Sequence, residues 1–576
     1  MNGGIGMGQK LDRVMYEISV VYIALPVFIF LAGWLRLIVA VPVCIIFLVS
    51  LILMLRNRPE AIAWHLSKRD FGVILAAVII LAVWLLLSGM GGFSFQNLDY
   101  EDRNAIFHDL ISKSWPIVYN FSPGSGVVLN GLSPLPEHAV LTYYIAFWLP
   151  GALVGKLFGW YAANVFLYFW ALTGLNLIVY YMFRTLRRAS VRSVLILIFF
   201  SGLDIIGYVL RYKGALPSPI SQIEWWSGFQ YSSNTTLLFW VFNQTLVPWL
   251  VVLLLLNMKN SKSLFFMYAM LLLYGPFPFL GMLPFVLWKA YQGFPVIDGG
   301  DKTLPFEFFR KFLCWIWSGV IRALSFGNIA GGITVLTIIT LYYSNNVSSG
   351  RYMGFNTIGQ IYFAFFAFEA GLYLLLLFAY FRKQPVYWIC LVSLLLIPLI
   401  RVGIYQDFCM RVSIPALFML QIMIQKTLLG EKGTIEDENI ALVHQQSSGE
   451  SETAAITGPN HFFSLSKRDH KLLSISLAAL LCIGAVVPIQ EITRSMWNSF
   501  PEYAPTHAAM AAIGEVIKNS DNDVISSLGN SIITQNSSGQ LWYDNKKTLQ
   551  KVDEVTTNYV ASTEGSIFYK YLARQP

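Results

Sequence analysis

Phe71 to Tyr119 reads FGVILAAVIILAVWLLLSGMGGFSFQNLDYEDRNAIFHDLISKSWPIVY. Its first part, Phe71 to Met90, carries no charge and has about the 20-residue length that crosses a bilayer as a helix. Its second part, Phe93 to Tyr119, places Asp99, Glu101, Asp102 and Asp109 beside Arg103 and His108. The pattern predicts a membrane span that delivers a charged loop and a short helix to one face of the membrane. The remaining chain decides which face, and whether other spans surround it.

Of 576 residues, 56% are hydrophobic and 12% charged. That charged fraction is half the roughly 25% of a soluble domain. Apolar runs of spanning length recur without the alternation of a transmembrane barrel, so the spans are helices. The chain reads as an all-α polytopic membrane protein of about 11–13 spans. The net charge of +8 comes from basic residues in short loops beside spans, a signal of orientation and not of nucleic-acid binding. The cysteines Cys44, Cys314, Cys390, Cys409 and Cys482 form no CxxC pair, which argues against a zinc site.

Lys10 and Arg13 precede the first run, Tyr16 to Leu35, and put the N-terminus inside. Leu37 to Leu55 returns to Arg56, Arg58, Lys68 and Arg69, so residues 1–70 form a helical hairpin. Phe71 to Met90 then exits, and the acidic stretch falls outside. His138 to Phe158 is long enough to span, but Tyr161 to Phe183 ends in the basic cluster Arg184, Arg187, Arg188 and Arg192. That cluster belongs inside, so His138 to Phe158, interrupted by Pro150 and Gly151, is expected to be re-entrant or to lie along the outer surface. Leu264 to Lys289, broken by three prolines, reads as a hairpin that does not fully cross. Phe306 to Leu324 reads as an amphipathic helix on the inner surface. The core extends over 71–425. Residues 426–471 are polar and read as a disordered inner loop. Residues 472–492 form the last span, and 493–576 a small outer α/β domain.

Charge within an apolar chain marks the candidate sites, because its burial is costly. Asp99, Glu101 and Asp102 lie within four residues. A carboxylate there can take a proton from a bound hydroxyl, or the cluster can hold a divalent cation. The alternative is a solvated loop. Asp204, in FFSGLDIIG, faces protein or a wet cavity, whereas Glu369 lies nearer mid-membrane and suits a bridge between spans. Arg401, Asp407 and Arg411 crowd one outer turn, and guanidinium groups grip phosphate oxygens with forked hydrogen bonds. The alternative there is mutual neutralisation. Arg351 and Lys213 are further outer cations, and His108 and His138 are lone histidines in loop or helix positions. The glycines of GNIAGG suit helix packing.

These residues together resemble the GT-C class of integral membrane glycosyltransferases. The resemblance rests on the acidic first outer loop, on HAVLTYYIAFWLPGALVGKLFGW and the following span that ends in RTLRR, and on FFSGLDIIG, YGPFPFLGMLPF and QDFCMRVSIPAL. It covers roughly Phe71 to Gln425. The resemblance implies a GT-C-like helical bundle in a bacterial plasma membrane. It implies transfer of a sugar from a polyprenyl-phosphate or polyprenyl-diphosphate donor to a glycan, lipid or protein acceptor on the outer side. It also implies that Asp99, or its neighbours Glu101 and Asp102, acts as base, with Asp204 a second acid lining the cavity. Arg411 and Arg401 would neutralise the leaving phosphate, with Asp407, Arg351, Lys213 and His138 as further substrate contacts. The class often shows a clearer DxD or DE signature, which leaves metal use open. A lipid or glycan transporter, or a polysaccharide polymerase or ligase, is the competing reading.

Overall fold

A computed structural model describes residues 2–56, 68–121, 138–217, 221–257, 262–292, 325–346, 353–402, 407–430, 467–499 and 559–574. Arg351, the segment Phe306 to Leu324, most of the polar 426–471 loop and most of the C-terminal tail lie outside them. The fold is mostly helical. Seven helical segments among the described residues are long and apolar enough to cross a membrane: Lys10–Trp34, Leu37–Arg56, Ala146–Leu186, Val191–Arg211, Asn234–Asn257, Gln360–Phe381 and Arg468–Ser499. Shorter apolar helices cover Asp70–Leu86, Gly327–Tyr343, Pro385–Leu399 and Ile414–Leu429.

The first part of the bundle comprises α1 (Asn2–Trp34), α2 (Leu37–Arg56), α3 (Lys68–Leu86), α4 (Tyr100–Ser112) and α5 (Leu149–Leu186). Next come α6 (Val191–Phe199), α7 (Asp204–Arg211), α8 (Asn234–Asn257), α9 (Leu264–Leu271) and α10 (Pro276–Gln292). The second part comprises α11 (Thr334–Tyr343), α12 (Gln360–Phe366), α13 (Leu372–Phe381), α14 (Pro385–Leu396), α15 (Asp407–Val412), α16 (Ile414–Leu429), α17 (Lys467–Gly484) and α18 (Val486–Ser499). The central helix is α8. Nearly all of it is buried, and a helix apolar on every side belongs at the middle of a bundle.

Polar contacts distinguish the two ends of the bundle. At one end Arg184, at the foot of α5, pairs with Asp12 of α1 at 3.4 Å and donates to Asn257 Oδ1 at 3.4 Å. Tyr16 donates to the Met54 carbonyl there, at 3.1 Å. These are the chain ends that the basic clusters assign to a common side. At the other end the rings of Trp34 and Trp115 meet at a tilt, centres 5.0 Å apart, and the chain after Trp115 enters a three-stranded antiparallel sheet. Its strands are β1 (Val118–Asn120), β2 (His138–Leu141) and β5 (Val560–Ser562), in the order β1–β2–β5. A second pair, β3 (Met353–Phe355) and β4 (Ile400–Val402), is also antiparallel.

Three expectations change in detail. His138 to Phe158 is not one helix. It is strand β2, a tight turn at Ala146–Trp148, and the start of α5. Gly159, at φ 84°, kinks α5, and the ten residues before the kink are only about 15 Å long, half a bilayer core. That leading piece packs on α4, where a side chain at Gly155 would overlap Ile111. The last span runs on to Ser499 and not to 492. The described end of the C-terminal tail belongs to the sheet of the membrane part, because β5 pairs with β2.

Glycine packing follows the sequence reading. In Gly327–Ile333, a π-helical turn, a side chain at Gly331 would overlap Ser50 of α2 and one at Gly332 would overlap Phe265 of α9. Leu264 to Lys289 is two helices, α9 and α10, joined by a turn at 272–275.

Candidate functional site

The acidic stretch becomes the first turn of α4. Asp99 is its N-cap residue, and Glu101 and Asp102 follow at once. A helix N-terminus carries partial positive charge, so three acids are tolerated there. Asp99 accepts a charged hydrogen bond from Arg103 at 2.6 Å, one helical turn on. The Arg103 guanidinium is buried over the rings of Tyr100 and Phe242, at 5.8 and 5.5 Å. Asp99 keeps 41% of its side chain exposed, so the carboxylate is gripped from below and open above. Tyr100 fixes the turn by donating to the Ser88 carbonyl at 2.9 Å. Asn97 ties the preceding loop to the Phe239 carbonyl of α8 at 2.9 Å.

Asp102, half-buried on the same turn, accepts from the Tyr559 hydroxyl at 3.2 Å. Tyr559 leads into β5 and donates no backbone freedom of its own: its carbonyl takes the Thr142 N–H at 2.8 Å. Its ring meets Tyr143 edge-on at 4.7 Å, and Tyr143 lies against Tyr144 at 3.6 Å. Burial first, and then the charge of Asp102, raise the Tyr559 pKa well above its usual value. The phenol therefore stays a donor.

Tyr144 carries the contact across to the arginine turn. Its hydroxyl accepts from Arg411 Nη1 at 2.9 Å, and Arg411 Nη2 pairs with Asp407 at 3.1 Å. Burial opposes the Arg411 charge, and Asp407, Tyr144, Tyr143 and Asp99 together outweigh it, so its pKa is raised. Arg411 Nε and Arg103 Nη1 are buried without a hydrogen-bond partner among the described residues. Buried guanidinium N–H groups usually find acceptors, and here one such donor lies on each side of the group.

The structure therefore brings together Asp99, Asp102, Asp407 and Arg411, with Glu101 half-buried on the turn of Asp99. Arg401 is exposed on β4, opposite Gly354 of β3, on a strand that packs against α15, the helix of Arg411. Lys213 is exposed beyond α7 in a left-handed backbone conformation. His138 is exposed at the start of β2, with Nδ1 2.8 Å from Asn120 Oδ1. His108 Nδ1 lies 3.8 Å from Asp109 on α4. Arg351 lies outside the described residues. Among those described, no three His, Cys, Asp or Glu side chains converge to hold a metal ion.

The placement of Asp204 corrects the expectation of a second cavity acid. Its side chain is fully buried, and its hydrogen bonds go to Ser201 and Glu369. It belongs to a second acidic group with Glu369 and Glu224. Tyr143, Tyr144, Tyr559 and Arg103 are the site residues that sequence reasoning did not single out. No family model, curated protein or solved structure matches this chain.

Proposed function

We propose that the chain is a membrane glycosyltransferase that takes a sugar from a polyprenyl-phosphate-type donor on the outer face of a bacterial plasma membrane. The observation that carries this reading is the run of contacts from Asp102, on the turn of Asp99, through Tyr559, Tyr143 and Tyr144 to Arg411. Sugar transfer from a lipid phosphate needs a base at the acceptor hydroxyl and positive charge where the leaving phosphate gains its negative charge. Asp99, with 41% of its side chain exposed, takes the role of base. Arg103 holds it in one orientation, which shortens the search for a reactive geometry. Asp102 and Tyr559 hold the floor of the site. Arg411, with a free Nε–H, takes the phosphate, while Asp407 and Tyr144 fix the plane of the guanidinium.

The test uses purified protein in lipid vesicles with a polyprenyl-phosphate-linked sugar and a hydroxyl acceptor. Wild type transfers sugar, and Asp99→Asn loses at least about 100-fold, the usual scale for a general base. Full-rate transfer by Asp99→Asn and Asp102→Asn alike would end the assignment. A second reading, a lipid or glycan transporter, is favoured by one observation: the span of Asp204 is interrupted at mid-course, as spans are at transporter binding sites. Movement of a labelled lipid-linked glycan across the vesicle without any transfer would decide for it.

A further inference from the structure

The span after α5 is broken by design. α6 ends at Phe199, α7 begins at Asp204, and Phe200 to Leu203 are not helical. A break inside a membrane frees carbonyls that lipid cannot satisfy. Neighbouring elements take them here. Asn234 Nδ2 donates to Leu197 O at 2.8 Å, and Thr235 Oγ1 to Ile198 O at 2.7 Å. The Asn234 N–H donates to Phe200 O at 3.1 Å, and Tyr373 Oη to Ser201 O at 3.1 Å. Opposite the break, the span Gln360–Phe381 has its own irregularity, a π-helical turn at Ala367–Gly371 that contains Glu369. Such turns recur at functional sites. The Leu203 N–H donates to Phe368 O at 3.0 Å and joins the two irregular segments.

Asp204 and Glu369 meet at this junction. Asp204 is 0% exposed and Glu369 1%. The Leu203–Phe368 bond and the contact of Gly202 with Glu369 set their carboxyl groups side by side. An ionised carboxylate only accepts, so a hydrogen bond between them needs a proton on one of the two groups. The outer oxygens are held by the protein: Ser201 Oγ donates to Asp204 Oδ2 at 3.1 Å and Trp226 Nε1 to Glu369 Oε1 at 3.2 Å. Asp204 Oδ1 and Glu369 Oε2 are buried and receive no protein donor among the described residues. No salt bridge from Lys or Arg reaches either acid among those residues. Gly202 permits the approach, since a side chain there would overlap Glu369 Oε2.

The other titratable groups facing the pair come from four elements. Glu224, on the Ile223–Trp225 turn, faces Asp204. Tyr231 precedes α8, Tyr373 lies on α13 and Cys409 on α15, and each faces Glu369. None is a cation.

We infer that Asp204 and Glu369 form a buried proton-binding site, in which one proton is held between two carboxyl groups at the junction of a broken span and a π-helical turn. Loss of the proton to water leaves two carboxylates in contact without a cation, and their repulsion pushes α7 away from the turn of Glu369. Occupancy of the site therefore sets the position of α7 and of the loop that carries Glu224 and Trp226. This inference uses none of the residues of the transfer site and stands whether or not sugar transfer is observed.

Infrared spectroscopy of the purified protein in lipid discs tests it. At pH 7 the wild type is expected to show a protonated-carboxyl stretching band, and part of that band is expected to vanish in both Glu369→Gln and Asp204→Asn. Each amide can donate the hydrogen bond that the proton supplied, so both variants are expected to fold. A band unchanged in the two variants, or no such band in the wild type, overturns the proposal. Should both variants fail to fold, Ser201→Ala and Trp226→Phe decide, since each removes the donor to the outer oxygen of one of the two carboxyl groups. Part of the band must shift in at least one of them, and a band unmoved in both overturns the proposal equally.

Discussion

The Tyr559 hydroxyl donates to Asp102 at 3.2 Å across 457 positions of sequence. The contact is held from both sides. Asp102 is set by the first turn of α4, and Tyr559 by the pairing of β5 with β2. The C-terminal end is further anchored on the first helix pair: Arg36 donates to Lys570 O at 2.7 Å, and the Arg574 N–H to Trp34 O at 2.8 Å. A segment at one end of the chain thus completes a site laid down near the other.

Tyr559→Phe removes one hydroxyl and leaves the strand. A hydrogen bond to a charged group is worth about 1.5–3 kcal/mol, and a tenfold rate change corresponds to about 1.4 kcal/mol. Transfer is expected to fall roughly 10- to 100-fold, and the melting temperature by several degrees. Transfer at the wild-type rate would remove Tyr559 from the site.

Arg411 and Arg401 should separate cleanly. Arg411 uses two guanidinium nitrogens on two partners, Tyr144 and Asp407, a geometry that a lysine ammonium cannot reproduce. Arg411→Lys is expected to lower the turnover rate by about 100-fold. Arg401→Ala, at an exposed position of the strand beside α15, is expected to lose much less, because an exposed cation is screened by water. Equal losses in both, measured as sugar transferred per enzyme, would return Arg401 to the site.

Stability should depend on pH through Glu224. Burial, and then the charge of Asp204, raise its carboxyl from the ordinary 4.5 to about 8. Three donors oppose the shift, the Ser233 N–H at 2.8 Å, Ser232 Oγ at 2.7 Å and Thr236 Oγ1 at 2.7 Å, and Gln230 Nε2 also donates at 3.2 Å. A pKa higher in the folded state means that the folded chain binds the proton more tightly. The resulting stability is full below the unfolded value near 4.5 and is lost as pH rises through about 8. Thermal unfolding in detergent should therefore shift to lower temperature across that window. Glu224→Gln should flatten the dependence and lower stability throughout, because the amide NH2 faces donors. A wild-type curve flat between those pH values would refute the assignment.

Seven helices long and apolar enough to cross a membrane were legible because their signal is local, length and hydropathy; four other runs read as spans, Phe71 to Met90 among them, form shorter apolar helices among the described residues. The proximity of the acids near Asp99 to Arg411 was legible in part, because loop charge assigns both to one end of the bundle. The tyrosines were not. Aromatic residues make up 15% of the chain, so Tyr143, Tyr144 and Tyr559 carry no compositional contrast. The reading of Asp204 left protein or a wet cavity open, and only the resemblance made it a cavity acid, because sequence shows its depth and not its partner. The break at Ser201–Gly202 holds one glycine and no proline, too faint a mark to show that the span stops there. Its partner Glu369 lies on a π-helical turn whose residues, AFEAG, match an ordinary helix in composition.

Gly281 offers a test of how Arg411 is positioned without touching it. On α10 it packs against the end of α15, and an added side chain would overlap the Val412 carbonyl oxygen and sit 3.2 Å from Pro415 Cδ. The obstacle is backbone, which cannot rotate aside as a long side chain can. Gly281→Ala must therefore move α10 and α15 apart, and Arg411 is the residue just before the one displaced. Overpacking of this kind costs about 1–3 kcal/mol, so the variant should unfold several degrees earlier. A shift of 1 Å at a reacting group can cost about 100-fold in rate, so transfer should fall further than stability does. At a temperature where the variant is fully folded, a transfer rate equal to wild type would show that the α10–α15 contact does not set the arginine. A rate loss carried by turnover, with donor affinity kept, would show that it does.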